Sequence, residues 1–123
     1  MEIILSLGNQ MSFNISASEF DPVAFAKGLN EPQVKNVTIG SIVANKDAII
    51  SIIPKDQVDP NVTLYLNNGD AVHIRVEDYN AAELTRDLND PRLTMIVLGD
   101  SIINKYMFMM LVPDSNGEVI NNN

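Results

Sequence analysis

The chain contains an internal repeat, and this feature constrains its fold more than any other. Residues 2–56 align without a gap with residues 61–115, so that every pair of equivalent positions has the same separation along the chain. A repeat of this length corresponds to one supersecondary unit that packs against its neighbour. We therefore predict a single domain, 1–123, made of two equivalent halves and a tail, 116–123. Eleven pairs of equivalent positions are identical: Leu5 and Leu64, Leu7 and Leu66, Asn9 and Asn68, Ile15 and Ile74, Leu29 and Leu88, Asn30 and Asn89, Pro32 and Pro91, Gly40 and Gly99, Asn45 and Asn104, Lys46 and Lys105, and Pro54 and Pro113.

Each half opens with two alternating strands. The turn between them in the second half, 67–69, has the sequence Asn-Asn-Gly. A two-residue Asn-Gly loop would pair apolar with polar residues. A three-residue loop with the glycine in the left-handed conformation instead pairs Leu64 with Val72 and Val62 with Ile74. Because a slip of one residue moves every side chain to the other face, the alternation predicts the three-residue loop.

A short helix follows in each half. Asp21, with Pro22 after it, and Asn80 are typical of helix N-termini. Phe20 has the spacing to pack on Phe25 across the first of these caps. Both helices end in the order Leu-Asn-acidic-Pro, where asparagine tolerates a left-handed cap and proline prevents continuation.

Two further strands complete each half and give the order β-β-α-β-β. Segments 34–39 and 93–98 are predicted strands, each followed by a glycine and an apolar hairpin that turns at Asn-Lys. The last strands, 48–53 and 106–112, are continuous apolar runs, as in strands buried on both faces. These elements predict an α+β fold: a largely antiparallel twisted sheet or a partial barrel, with two short helices packed against it.

Charge and residue types exclude several classes of protein. The 16 acidic and 8 basic residues give a net charge of −8, which disfavours phosphate backbones as ligands. The chain has no cysteine, so disulfides, thiolate metal sites and cysteine nucleophiles are excluded. The first residues lack the features of a signal peptide, and no apolar run is long enough to span a bilayer. We therefore predict a cytoplasmic protein with no membrane contact, no cofactor and no bound metal.

One cluster of residue types favours a binding function. In the predicted register His73 lies on the outward face of its strand, beside Arg75 and diagonal to Tyr65. Such an aromatic and basic face can stack bases and hold phosphate. The ordinary alternative is a half-exposed strand position without a ligand. No partner stands at the spacing of a catalytic triad or a metal site, so the sequence predicts no catalytic residue.

Basic residues at turns form a second candidate site. Lys46 and Lys105 follow an asparagine at equivalent turn tips, where the two halves would present them as a pair that grips an extended anion. The ordinary alternative is a solvated turn. Arg92 lies near the end of the second helix, where a basic group is also favoured by the helix dipole.

The segment 106–112 has the most unusual composition, because it reads Tyr-Met-Phe-Met-Met-Leu-Val. Its repeat partner favours a core strand. Methionine also adapts well to interfaces, so an edge position for this strand would favour a homodimer or another protein contact.

Several of these features occur together in a known family. The segments FDPVAFAKGLNEP at 20–32 and DYNAAELTRDLNDP at 78–91, with the two Asn-Lys turns followed by proline, resemble the PrgU family of enterococcal sex-pheromone plasmids. The resemblance implies a PUA-like fold and a role in restraining production of a plasmid-encoded surface adhesin, with RNA as the implied partner.

The leading hypothesis is therefore a non-catalytic regulatory binding protein of a mobile element, with RNA or a regulatory protein as its partner. The alternative is a protein-interaction or self-associating module without a nucleic-acid role. RNA binding predicts an affinity that falls steeply with salt, whereas self-association predicts an exposed apolar edge.

Overall fold

Ten β-strands and two α-helices form residues 1–114, which is the part of the chain that the computed structural model describes. The strands are β1 (Glu2–Leu7), β2 (Ser12–Ser16), β3 (Asn36–Ile39), β4 (Ile42–Asn45), β5 (Ile49–Pro54), β6 (Val62–Leu66), β7 (Ala71–Ile74), β8 (Met95–Leu98), β9 (Ser101–Asn104) and β10 (Phe108–Pro113). The helices are α1 (Pro22–Leu29) and α2 (Ala81–Leu88), and a single 3₁₀ turn precedes β5 (Lys46–Ala48) and β10 (Lys105–Met107). Neither described helix has the length that crossing a membrane requires. The predicted tail, 116–123, lies outside the described residues.

The same elements follow one another in the two halves. The order β1, β2, α1, β3, β4, β5 is repeated as β6, β7, α2, β8, β9, β10, and from the helix onward the bounds of each element match those of its counterpart in the sequence repeat. The strand pairs also correspond, since β1 pairs with β2 and β5 while β6 pairs with β7 and β10. Likewise, β3 pairs with β4 and β8 pairs with β9.

The strands form three open sheets in which every pair is antiparallel. One sheet has the order β2-β1-β5-β9-β8, the second has the order β10-β6-β7, and the third is the β3-β4 hairpin. The prediction of an α+β fold with antiparallel strands and two helices is confirmed. The strands nevertheless lie in three sheets rather than in one, because β4 and β9 differ in their partners. Strand β9 adds to β5, whereas β4 pairs with β3 alone.

Two apolar cores lie on the two sides of β5. Ile49 and Ile52 point into the core of the first half, while Ile50 and Ile53 point into the core of the second half. All six residues of β5 are buried, because neighbours pair with both of its edges and side chains cover both of its faces. The prediction that this strand is buried on both faces is confirmed.

The helix starts and the β6-β7 register agree with the sequence patterns. The Asp21 carboxylate accepts a hydrogen bond from the N–H of Ala24 at 3.2 Å, and the Asn80 side chain accepts one from Glu83 at 3.0 Å. In the hairpin, Leu64 lies opposite Val72, and Gly69 has a φ of +94°. The Phe20 and Phe25 rings also pack, with their centroids 6.0 Å apart.

The predicted left-handed helix caps are wrong. Asn30 and Asn89 have φ values of −84° and −91°, in the right-handed region. Their backbone N–H groups still donate to the carbonyls four residues earlier, as in a continuing helix. Each helix therefore ends without the left-handed residue that the sequence predicts, and Asn30 in addition binds the second half through its side chain.

Candidate functional site

Of the predicted aromatic and basic cluster, His73 occupies a place that the hairpin determines. It lies opposite Thr63 across the β6-β7 pair, and its Nδ1 is 2.9 Å from the Thr63 hydroxyl oxygen. That hydroxyl donates to Asp114 Oδ1 at 3.1 Å. A hydroxyl has one proton to donate, so the imidazole Nδ1–H donates to Thr63. The predicted outward position of His73 is confirmed, and its ring belongs to a polar chain that ends on a carboxylate.

Arg75 is engaged by acidic and carbonyl groups instead of facing an open surface. Its Nε lies 3.1 Å from Glu77 Oε2, and its Nη1 donates to the Asp59 carbonyl at 3.1 Å. Within residues 1–114, no hydrogen bond or ion pair links Arg75, His73 and Tyr65 to one another. The cluster therefore offers a phosphate little unpaired positive charge.

The prediction that the Asn-Lys turns are solvated hairpin tips is wrong. Strands β4 and β5 do not pair, and the turn between them passes beneath the end of α1. Lys46 is only 9% exposed, and its ammonium donates to the carbonyls of Leu29 at 3.0 Å and Glu31 at 3.1 Å. These carbonyls lie at the negative end of the helix dipole. The buried ammonium is thus a cap for the helix rather than one of a pair of exposed grips.

Lys105 has the equivalent role in the second half. Its Nζ donates to the carbonyl of Asp90 at 3.0 Å and lies 5.6 Å from the centre of the Tyr106 ring. It is half-buried and therefore more accessible than Lys46. The two lysines stabilise chain turns after α1 and α2.

Arg92 is exposed, but it too is paired. Its Nη2 and Nε lie 2.8 and 3.0 Å from the two oxygens of the Asp90 carboxylate. This two-point hydrogen bond, together with a bond from the Arg92 N–H, lowers the pKa of Asp90 to about 2. The same contact raises the pKa of Arg92. The pair lines a groove of about 520 Å³ between α1 and the start of β8.

A further cleft, with a volume of about 450 Å³, is acidic. Arg75 and five carboxylates line it: Glu2, Asp56, Asp59, Glu77 and Asp100. Such a surface repels phosphate. No group of three or more metal-ligating side chains converges there or elsewhere in residues 1–114.

The best-defined binding geometry in the molecule is the contact between its own halves, which we name the first junction. Strand β5 lies beside β9, with Ser51 opposite Ile103 and Ile52 opposite Ile102. The Asn104 amide group donates to the carbonyl of Ile49 at 2.9 Å. The junction thus combines a two-residue strand pairing with a side-chain bond to the backbone of the neighbouring strand.

Asn30 adds a further link to the first junction. Its Oδ1 accepts hydrogen bonds from the N–H groups of Thr94 at 2.7 Å and Met95 at 2.8 Å. Its Nδ2 donates to the carbonyl of Met95 at 3.0 Å. One side chain just after α1 therefore satisfies three backbone groups at the start of β8.

Each residue of the first junction has a counterpart in the other half of the repeat, and we name the set of these counterparts the second junction surface. Its strands are β10 and β4, the counterparts of β5 and β9, and its amide side chains are Asn89 and Asn45. Within residues 1–114, β10 pairs only with β6 and β4 pairs only with β3. One edge of each strand is therefore unpaired in this part of the chain.

Exposed apolar side chains mark the second junction surface. Val43 on β4 is 71% exposed, whereas its counterpart Ile102 is 0% exposed. Met109 on β10 is 54% exposed, whereas its counterpart Ile50 is 4% exposed. The prediction that 106–112 is a core strand is accordingly wrong for Met109 and also for Met110, although Phe108 and Leu111 pack on the second core.

Sequence reasoning did not identify Val43, Asn45 or Asn89 as functional candidates. A signal was present, because Asn45 and Asn89 each belong to an identical pair of the repeat. Asn45 and Asn104 share one local contact, because the side-chain oxygen of each accepts a hydrogen bond from the backbone N–H two residues later, at 2.9 and 3.0 Å. Only the structure shows that the amide nitrogen of Asn104 and the side chain of Asn30 also bind the other half. No protein-family model, curated protein or solved structure matches the chain, and the resemblance to the PrgU family stays a prediction.

Proposed function

We propose that this chain is a non-catalytic binding module whose partner is a protein that adds a strand to the free edge of β10. The observation that carries the proposal is the exposure of Met109 and Met110 on a strand with one edge that no strand of residues 1–114 pairs with. An unpaired edge presents backbone N–H and C=O groups that another strand can satisfy. Methionine side chains adapt their shape to a partner's surface.

The composition of the strand supports this proposal. Proteins usually protect an edge strand with charged side chains or a covering segment. The six residues of β10, Phe108–Pro113, include no charged side chain. Proline is present only at the last position, and five apolar residues precede it. An edge that has no charged side chain, and that no strand of the described residues pairs with, favours a partner that covers it.

The same features give less support to RNA. Phosphate contacts require lysine or arginine groups that are free to replace counterions. Lys46, Lys105, Arg75 and Arg92 all have carbonyl or carboxylate partners within the fold. RNA binding at Tyr65 and His73 stays a prediction that the test below also addresses, and a regulatory role for a mobile element stays a prediction.

We also infer that the two halves arose by tandem duplication of one β-β-α-β-β unit. The inference is supported by the constant offset between equivalent elements and by the corresponding strand pairs. The PUA-like barrel that the resemblance implies is a separate prediction. The three open sheets supply no closure that would support it.

The proposal is tested by affinity capture from a lysate of the native host with three forms of the protein: the natural sequence, Met109→Lys and Val58→Lys. Val58 is 75% exposed and lies outside the strands, so its substitution matches the change in charge. We expect a protein partner to be retained by the natural sequence and by Val58→Lys, and to be lost with Met109→Lys. Analysis of RNA in the same eluates measures the alternative.

Retention of the same protein by all three forms would show that the β10 edge is not the binding element. Retention of RNA alone, lost as salt is raised or when His73 is replaced, would replace the proposal with RNA binding.

A further inference from the structure

We propose that the partner of the β10 edge is β4 of a second copy of this chain, so that a contact between copies repeats the first junction. This inference rests on the proposed function, because it identifies the strand that β10 binds. Its basis is that the chain already contains one example of the contact. In that example, the counterpart of β4 lies beside the counterpart of β10.

The first junction specifies the register of the contact between copies. Ser51 lies opposite Ile103 within the chain, so replacing each residue by its repeat counterpart places Met110 opposite Ala44 of the second copy. The Ile52 and Ile102 pair places Leu111 opposite Val43 of the second copy. The strands are antiparallel in both cases.

The burial of these residues agrees with that register. Leu111 packs on the core of its own half, as its counterpart Ile52 does, and Ala44 packs on the core of its own half, as Ile103 does. Val43 would join Leu111 over the second core, in the place that Ile102 occupies over the first. Because a slip of one residue would exchange the two faces, the present side-chain orientations favour this register and oppose its neighbours.

The asparagines give a second and independent indication. The side-chain amide of Asn104 donates to the Ile49 carbonyl, and that of Asn30 donates to the Met95 carbonyl on β8. Their counterparts, Asn45 and Asn89, make no such bond within residues 1–114. In the proposed contact the Asn45 amide of one copy reaches the Phe108 carbonyl of the other, and Asn89 reaches the start of β3.

The symmetry of the assembly follows from the contact. Each contact joins the β10 edge of one copy to the β4 edge of another, and because these two surfaces differ, the contact is heterologous. Two copies can satisfy both edges reciprocally, and a larger ring does so with more copies. A closed assembly leaves no unpaired β10 edge.

The first test uses cysteine cross-linking, for which the absence of natural cysteine is an advantage. One preparation carries Met110→Cys and the other carries Ala44→Cys, and the two are mixed in a glutathione buffer. Opposite residues of an antiparallel pair have Cα atoms about 4.5–5.5 Å apart, a separation that a disulfide spans. We expect the mixed disulfide to accumulate, and we expect none from Met110→Cys with Val58→Cys.

The second test measures assembly by light scattering over a range of concentrations. We expect the natural sequence and Val58→Lys to form assemblies whose mass equals that of two or more complete copies. Val43→Lys places a charge in the apolar contact, and we expect self-association to weaken by about tenfold or more. Circular dichroism of each variant checks that the fold is retained, since Val43 is exposed in the single copy.

The equivalent asparagines provide a matched pair of variants. We expect Asn89→Ala to weaken assembly while the single copy remains folded. Asn30→Ala removes three hydrogen bonds of the first junction, so we expect it to lower the stability of the single copy itself. Equal assembly of Asn89→Ala and the natural sequence would contradict the proposed contact.

Other outcomes of these tests overturn the inference. A natural sequence that stays monomeric at all concentrations, or a disulfide that joins two Met110→Cys copies in preference to the mixed pair, would exclude the contact of β10 with β4. If Met110→Cys is monomeric and its thiol does not react with a maleimide, another segment of the same chain covers β10. If Met109→Lys abolishes capture of a different protein while Val43→Lys has no effect on that capture, the inference fails and the proposed function stands.

Discussion

Replacement of Gly99 by alanine tests how tightly the β8-β9 turn packs on the end of β7. Gly99 has a φ of +61°, a region that costs an L-residue about 1–2 kcal/mol. An added Cβ would also overlap the carbonyl oxygen of Arg75 and lie 3.3 Å from the Cα of Val76. Both neighbours are backbone atoms of the chain that follows β7, so the overlap is not relieved by rotation of a side chain.

Gly69→Ala is the control, because it changes the free energy of unfolding through the backbone conformation alone. Gly69 has a φ of +94°, and no atom lies within 4 Å of an added Cβ. Gly69→Ala therefore costs only the backbone conformation, about 1 kcal/mol of the free energy of unfolding after the gain from a less flexible unfolded chain. Overpacking adds about 1–3 kcal/mol, so we expect Gly99→Ala to cost about 3 kcal/mol.

The assay is urea and thermal unfolding of the natural sequence and both variants at one protein concentration, because assembly would make stability depend on concentration. At about 4 °C per kcal/mol for a domain of this size, we expect Tm to fall by about 4 °C for Gly69→Ala and about 12 °C for Gly99→Ala. If the two variants agree within about 0.5 kcal/mol, the close contact between Gly99 and Arg75 does not constrain the fold, and the reasoning is refuted.

Two further predictions concern charged groups with defined partners. Lys46→Met leaves two helix-end carbonyls without their donor, so we expect a loss of about 1–3 kcal/mol in urea unfolding, and a smaller loss for Lys105→Met, which releases one carbonyl; equal losses would contradict the capping roles. The pKa of Asp90 is about 2 in the folded chain, below the ordinary aspartate value of 3.8, because Arg92 binds its carboxylate. The ion pair therefore stabilises the fold above about pH 4, and that stability is lost as pH falls toward 2. A carboxyl titration by NMR should show the pKa of Asp90 rising in Arg92→Ala, and an unchanged titration would exclude the pair as its cause.

Local interactions account for the features that could be predicted correctly from the sequence. The caps at Asp21 and Asn80 depend on hydrogen bonds to residues three positions later, and such bonds are specified by neighbours in the chain. The β6-β7 register depends on a turn and on alternation within one hairpin. The predicted outward position of His73 follows from that register. These features need no knowledge of which distant segment packs nearby.

Predictions failed where a residue's environment depends on a distant element. The sequence predicts a hairpin tip at the Asn-Lys turn because β4 and β5 are consecutive, yet β5 pairs with β1 and β9. Lys46 is buried for the same reason, since the turn crosses to a different sheet beneath α1. The sequence predicts Lys46 and Arg75 as ligand-binding residues. It does not show that carbonyl and carboxylate groups of the fold already bind both side chains.

The division between sequence and tertiary structure is clearest in β5 and β10. Their apolar patterns and their bulge positions correspond, so the sequence specifies two strands of the same type. Tertiary structure decides that β9 covers one of them and that no segment within residues 1–114 pairs with the free edge of the other. The physical reason is that the backbone N–H and C=O groups of a strand can pair with those of any other exposed strand edge. Only the three-dimensional arrangement determines which edge lies close enough to pair.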